Sequence, residues 1–197
     1  CERKYLSVKT QEIEINKMAN FKEELQNIKA FVFDVDGVFT DGQIYLDPSG
    51  EFVRSVNMKD GFAVAYALKQ GYTIGIISGG SSEATKKRFQ YLGITDIYMN
   101  SRDKVNDFED FYFKYGLKPE EILYMGDDLP DYEVMQIAGL ATCPSDAAEE
   151  IKAISKYIST FPGGRGCVRD VIEQVLRLQG KWKQFFNKSA DNAGLKQ

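Results

Sequence analysis

The sequence predicts an α/β protein organised on a doubly wound parallel sheet, with a short β-hairpin flap inserted close to its start. Three apolar runs, KAFVFDV (29–35), YTIGII (72–77) and EILYMG (121–126), lack any alternation of polar and apolar residues. Strands buried on both faces read this way, and such strands belong to parallel sheets. Segments of helical periodicity stand between the runs, and strands alternating with helices build a sheet wound in both directions.

The elements follow in order. Residues 1–19 form a polar N-terminal extension, 20–180 a single domain and 181–197 a polar tail. NFKEELQNI (20–28) is a short helix leading into the first buried strand. QIYLDPSGEFVRSV (43–56) sets two alternating halves about Asp-Pro-Ser-Gly, whose turn chemistry makes the segment a hairpin. A helix then runs to about Gln70 with Asp60 as its N-cap. The second buried strand ends in Ser78-Gly79-Gly80, and SSEATKKRFQYLG (81–93) is a helix capped by Ser81 or Ser82 and stopped by Gly93. DIYM (96–99) is a strand, KVNDFEDFYFKYG (104–116) a helix and EILYMG the next strand. PDYEVMQIAG (130–139) is a helix with Pro130 in a permitted first-turn position. LATC (140–143) is a strand, DAAEEIKA (146–153) a helix, and after GGRG (163–166) the run CVRDVIEQVLRLQ (167–179) has strong helical periodicity. Trp182, Phe185 and Phe186 make an aromatic cluster in the tail.

Composition narrows the chemistry. A chain of 197 residues, 43% hydrophobic, fits one domain with a substantial core. A net charge of −4 and no basic run argue against a nucleic-acid partner, and no apolar stretch is long enough for a membrane span. The N-terminal stretch CERKYLSVKTQEIEINK is charged and lacks the apolar core of a signal peptide, which points to the cytoplasm. There is no histidine, so histidine-based nucleophile activation is excluded and most zinc sites with it. Cys1, Cys143 and Cys167 are scattered and read as ordinary thiols. The remaining chemistry rests on carboxylates, lysine, arginine, hydroxyls and a bound cation.

Ligands of doubly wound sheets bind beyond the carboxyl ends of the strands. Those ends carry Asp34 and Asp36, then Ser78-Gly79-Gly80, then Asp127-Asp128 with Asp131 one helical turn on. Asp34 and Asp36, two apart, point to the same side of an extended chain. Clustered hard oxygen donors without His or Cys suit Mg²⁺, which completes its shell with water and substrate phosphate. Taken alone, the Asp-x-Asp-Gly pattern also fits a turn or a fragment of a Ca²⁺ loop.

FDVDGVFTDG (33–42), IISGG (76–80), Lys104 at a helix start and YMGDDLPD (124–131), in that order, resemble the four motifs of the haloacid dehalogenase superfamily. The likeness extends from about Lys29 to Trp182. Within the superfamily, TDGQIYLDPSGE, VNMKDG, the LGI at 92–94, GGRGCVRDVI and LQGKW resemble the phosphatases of 3-deoxy-D-manno-octulosonate (KDO) 8-phosphate. Phosphatases of nine-carbon keto-sugar-acid 9-phosphates share most of this layout.

By that resemblance, Asp34 is the nucleophile and forms an aspartyl-phosphate, while Asp36 is the acid for the departing sugar oxygen and then the base for water. Asp36 needs a proton for this, which a nearby like charge favours. Mg²⁺ is held by Asp34, the backbone carbonyl of Asp36, and Asp127. Ser78 and the N–H groups of Gly79 and Gly80 bind phosphoryl oxygens, and Lys104 sets a positive charge against phosphate and Asp34. Asp128 and Asp131 orient the metal and Lys104. Thr40, Lys59 and Asp60 are substrate-site walls, and Arg165 meets the anionic substrate, in an adjacent subunit's site. Asp41 is structural. The hairpin is too short for a cap domain, and members of this capless kind form tetramers in which a neighbour covers the site. Its apolar residues Ile44, Leu46, Phe52 and Val53 need a partner, or else fold onto their own domain. Many relatives carry a basic residue where this chain has Gly80. The implied activity is Mg²⁺-dependent release of KDO and phosphate from a phosphorylated sugar acid, in lipopolysaccharide precursor synthesis. A non-catalytic, receiver-like signalling module or a degenerate scaffold would use a comparable acidic pocket, although a receiver places its acceptor after a middle strand.

Overall fold

The computed structural model describes residues 21–48, 50 and 52–182. The extension expected over 1–19, and Phe185 and Phe186 of the tail, lie outside the described residues.

Six parallel strands form the sheet, in the order β5-β4-β1-β6-β7-β8: β1 is Ala30–Phe33, β4 Thr73–Ser78, β5 Asp96–Met99, β6 Ile122–Met125, β7 Leu140–Cys143 and β8 Tyr157–Ile158. The two-stranded antiparallel hairpin pairs β2 (Tyr45–Leu46) with β3 (Phe52–Val53). β1 lies between β4 and β6, pairing Phe33 with Ile76 on one side and with Met125 on the other. The chain runs outward from β1 through β4 to β5 and then returns to the far side of β1. That reversal is the topological switch where a doubly wound sheet opens a ligand crevice.

Both faces of the sheet are covered, which explains the unbroken apolar runs. Phe31 and Phe33 of β1 face a layer made by α1 (residues 21–27), α2 (Met58–Lys69), α3 (Glu83–Leu92) and α7 (Cys167–Leu178). Ala30 and Val32, one position out of phase, face α4 (Lys104–Tyr115), α5 (Tyr132–Ile137) and α6 (Glu149–Ile154). The alternation is therefore apolar to one helix layer and apolar to the other. α7 shows the same logic in a helix: Val168, Val171, Ile172, Val175 and Leu176 are buried along one stripe. Each such side chain contributes about 1.5–3 kcal/mol on burial. No helix among the described residues is long and apolar enough to cross a membrane.

Several boundaries differ from the sequence reading. α2 starts at Met58 with Asn57 as N-cap, its side chain accepting the Lys59 N–H at 2.8 Å, so Asp60 is not the cap of its own helix. The helix expected from Pro130 begins with a 3₁₀ turn over Leu129–Asp131, and α6 starts three residues later than its acidic run suggests. The strand β8 has no counterpart among the expected elements. Ser82, Gly93 and Lys104 sit where expected, as N-cap of α3, left-handed C-cap of α3 and first residue of α4.

Asp60 is instead fully buried and caps a different helix. Its Oδ1 accepts the backbone N–H of Arg169 at 2.8 Å, in the first turn of α7, whose own N-cap Gly166 offers no side chain. Burial pushes the Asp60 carboxyl up, against the pull of the Arg169 and Gly166 N–H groups. Asp60→Ala removes this acceptor and is expected to cost about 1–3 kcal/mol, read as a lower urea midpoint. An unchanged midpoint would show that α7 needs no such anchor.

Candidate active site

The carboxyl ends of β4, β1 and β6 border a cleft of about 780 Å³. Asp34 follows β1 directly, and its backbone N–H bonds Met125 O at 3.0 Å, which ties the end of β1 to the end of β6. Asp127 follows β6 after Gly126. In the 3₁₀ turn beyond, Asp131 is buried, with Oδ1 accepting from Lys104 Nζ and from the Tyr124 hydroxyl, each at 2.7 Å. Its Oδ2 accepts the Asp127 N–H at 3.3 Å. Asp131 is thus fixed from three directions and its oxygens are largely committed.

Lys104 extends from the start of α4 until Nζ lies 3.1 Å from Asp34 Oδ1 and 2.7 Å from Asp131 Oδ1, with only 9% of the side chain exposed. Burial works against its charge, yet Asp34 and Asp131 outweigh this and hold its pKa above the ordinary lysine value. One ammonium cannot balance three carboxylates. Burial, then the charge of Asp131, pushes Asp34 up to about 7, against the opposing pull of Lys104. Burial and the charges of Asp34 and Asp131 push Asp127 up to about 8. The Tyr124 hydroxyl is raised well above its ordinary value by its burial and by Asp131.

This electrostatic deficit is what a divalent cation corrects. One oxygen each from Asp34, Asp127 and Asp131 lie within 4.8 Å of one another, so the donor set fits a small hard cation. Gly37 keeps the place open: at its φ of +82°, a Cβ would sit 1.9 Å from Asp127 Oδ2. The sequence reading placed Asp34 and Asp127 here with the carbonyl of Asp36. The structure adds the Asp131 carboxylate to the cluster, while the Asp36 side chain turns elsewhere.

Ser78 ends β4 nearly buried, with Oγ accepting the Gly80 N–H at 3.1 Å, and Gly79 and Gly80 line the same cleft as Asp34. Asp128 also lines it, exposed, and its carbonyl accepts the Asp131 N–H at 2.8 Å. The expected wall residues lie apart. Thr40 is buried beneath the loop, its Oγ1 accepting the N–H groups of Gly37 and Gly42, each at 3.3 Å, and donating to Asp36 Oδ1 at 3.4 Å. Asp60 is buried under α7. Lys59 and Arg165 line a separate hollow with Arg169 and Glu173. Arg165 is 68% exposed and pairs at 3.6 Å with Asp41, which also accepts the Gln43 N–H.

One participant escaped the sequence reading. The Asp36 carboxyl faces Arg54 of the hairpin arm, whose Nε and Nη2 donate to Oδ1 at 2.6 Å and to Oδ2 at 3.0 Å. The only sequence signal was an arginine in the hairpin's second, alternating half. The hairpin's apolar residues do not fold onto their own domain: Leu46 is 78% and Phe52 54% exposed, with Ile44 and Val53 similarly bare.

A buried ammonium against two carboxylates, with the Ser78-Gly79-Gly80 loop lining the same cleft, accommodates an anionic group such as a phosphoryl far better than a neutral substrate. On a parallel sheet, with a hairpin in place of a cap, this is an α/β phosphoric monoester hydrolase of haloacid dehalogenase type. The comparisons with known proteins agree. Residues 84–166 match the haloacid dehalogenase-like hydrolase family. The 3-deoxy-D-manno-octulosonate 8-phosphate phosphatase KdsC of Escherichia coli K12 is 36% identical over 156 residues, 79% of this chain and 83% of that protein. The Moraxella catarrhalis phosphatase of the same name, solved in complex with magnesium, phosphate and KDO, superposes with a TM-score of 0.83 at 32% identity, over 87% of this chain and 98% of that one. The Yersinia pestis phosphatase gives 0.80 at 32%, over 82% and 88%. This chain belongs to the 3-deoxy-D-manno-octulosonate 8-phosphate phosphatase family of the haloacid dehalogenase-like hydrolases. The signalling-module reading is set aside with that membership.

Proposed function

We propose that this phosphatase hydrolyses 3-deoxy-D-manno-octulosonate 8-phosphate to KDO and phosphate in the cytoplasm, supplying lipopolysaccharide precursor synthesis. The observation that carries the reaction type is the convergence of Asp34, Lys104 and the Ser78-Gly79-Gly80 loop at three adjacent strand ends. The likeness to the KDO 8-phosphate phosphatases supports the substrate.

In the proposed reaction an Asp34 oxygen attacks phosphorus and the P–O8 bond breaks, with the electron pair leaving on the sugar oxygen. Asp36 gives that oxygen its proton, for which one of its oxygens must leave Arg54, since in the resting site both accept, Oδ1 from Nε and Thr40 Oγ1 and Oδ2 from Nη2. Asp36 then takes a proton from water, whose oxygen attacks the aspartyl-phosphate, and phosphate leaves with Asp34 restored. Two displacements replace one difficult hydrolysis. Lys104 holds the Asp34 oxygen in line and balances charge on the phosphoryl group, which Ser78 and the N–H groups of Gly79 and Gly80 grip from the other side. Mg²⁺ suits the site best: Asp34, Asp127 and the Asp36 carbonyl would hold it, and it would neutralise phosphate charge among the carboxylates. Asp131, with its oxygens engaged by Lys104, Tyr124 and the Asp127 N–H, acts from behind, and Asp128 borders the same loop. We assign Thr40 to fixing the loop, and Lys59 and Arg165 to substrate contacts completed in a homotetramer through the bare hairpin faces. Asp60 we assign to α7.

Phosphate-release kinetics on both sugar-acid classes test the substrate. The eight-carbon 8-phosphate is expected to give a kcat/KM at least about tenfold above that of a nine-carbon keto-sugar-acid 9-phosphate. Equal or higher efficiency on the nine-carbon acid would transfer the assignment to that class.

A further inference from the structure

Arg54 leaves the hairpin immediately after β3, where its neighbours Val53 and Val56 are exposed, yet only 8% of its own side chain is reached by solvent. The guanidinium is used on three sides. Nε and Nη2 grip the two oxygens of Asp36 at 2.6 and 3.0 Å, and Nη1 donates to the Phe52 carbonyl at 3.2 Å. Asp36 Oδ1 also accepts from Thr40 Oγ1 at 3.4 Å. The Asp36 carboxyl stands at the cleft mouth on a loop, where a free aspartate would sample several rotamers. A two-point fork from a side chain itself anchored on backbone removes that freedom.

The second-strand loop makes room for this pair. A Cβ at Gly80 would lie 3.6 Å from Arg54 Nη2, 3.6 Å from Asp36 Oδ2 and 3.4 Å from Ser78 Oγ. A longer side chain at position 80 would enter the space that the guanidinium occupies. The bare glycine, the arginine of the arm and Asp36 therefore form one arrangement beside the phosphate-binding loop.

We propose that Arg54 is a positioning residue for proton transfer: its fork holds the resting Asp36 carboxyl at the cleft, and release of one arm as the anionic substrate enters frees an oxygen to carry the proton for the leaving group, which couples the hairpin arm to catalysis. The proposal rests on the reading of Asp36 as the acid and base. Arg54 donates no proton itself, since the proton that reaches the sugar oxygen as the P–O bond breaks comes from Asp36. Misplacing a reacting group by about 1 Å costs roughly 100-fold in rate, so loss of the fork should be felt in kcat more than in KM.

The test exploits the leaving group. The sugar oxygen departs poorly without a proton, whereas the p-nitrophenolate of p-nitrophenyl phosphate departs without one. The two substrates are compared on kcat/KM, which ends at departure of the leaving group and so leaves out the later water step in which Asp36 is the base for either substrate. Arg54→Ala is expected to lower kcat/KM on 3-deoxy-D-manno-octulosonate 8-phosphate by about 10–100-fold, with a loss on p-nitrophenyl phosphate at least about tenfold smaller. Arg54→Lys, which keeps the charge but loses the fork, should fall between. Asp36→Asn combined with Arg54→Ala should be no worse than Asp36→Asn alone, because both changes act on one proton transfer. Equal losses on the two substrates for Arg54→Ala, or losses that add to those of Asp36→Asn, would overturn the role of Arg54 while leaving Asp36 in place. Should Asp36→Asn itself lose kcat/KM equally on both substrates, the reading of Asp36 as the acid fails first. Circular dichroism melts accompany each variant, and Arg54→Lys carries the comparison should the alanine variant unfold early.

Discussion

Asp34→Asn is expected to abolish turnover, lowering kcat by about 10³-fold or more, because the amide keeps the shape of the proposed nucleophile and removes its charge. The same substitution should leave the metal-free protein as stable as before, or more so. Asp34 is nearly buried, and its charge is opposed first by that burial and then by Asp131, which is why its pKa rises to about 7 despite Lys104 at 3.1 Å. An uncharged side chain of the same size escapes both penalties, as commonly happens when a site strained for function is relieved. Phosphate release and a thermal melt on the same sample check the two halves together. A fully active Asp34→Asn enzyme would end the covalent mechanism. An inactive variant that also melts well below the parent would show that Asp34 is needed for folding rather than chemistry.

What could be read before the structure, and what could not, divides by range. β1, β4 and β6 announced themselves because their interior faces both layers of helices, so every residue is apolar, and their strand-end aspartates, serine and glycines follow in the chain. The site was visible because a doubly wound sheet brings strand ends together by topology alone. Contacts between distant segments left no mark. β8 is two residues long and exists through its pairing with β7, Thr142 to Tyr157 and Cys143 to Ile158. Asp60 looked like the cap of its own helix because its partner, the Arg169 N–H, lies 109 residues away. The same blindness concealed Arg54. A proton on Asp36 was expected, with a like charge as one way to favour it, and the residue that faces it is Arg54, which the hairpin brings back from 18 residues on. Asp131 was expected to orient other groups, and its bonds to Lys104, Tyr124 and the Asp127 N–H fit that part; its membership in the carboxylate cluster follows from the 3₁₀ turn that replaced the first turn of the expected helix.

Adding Mg²⁺ is expected to raise the melting temperature, and by more at pH 8 than at pH 6. In the metal-free protein Asp34 and Asp127 hold their protons up to about 7 and about 8, whereas an unfolded chain releases them near 3.8. Across that window the folded state binds more protons than the unfolded state, so the contribution of these two groups to stability is present below about pH 4 and is lost as pH rises toward 8. Metal binding requires the carboxylates in their charged form. Below pH 7 the cation must therefore displace protons, and the apparent affinity is reduced. Near pH 8 Asp34 is mostly ionised and Asp127 about half so, their mutual repulsion is greater than at pH 6, and a divalent cation relieves more strain. Calorimetric titration in two buffers of different ionisation enthalpy should find proton release on binding at pH 6 that shrinks by pH 8. Asp127→Asn should lose most of the Mg²⁺-induced rise, and chelation by EDTA should take phosphate release to background. A rise of the same size at both pH values, with no protons released, would mean that the cation binds somewhere other than at Asp34 and Asp127.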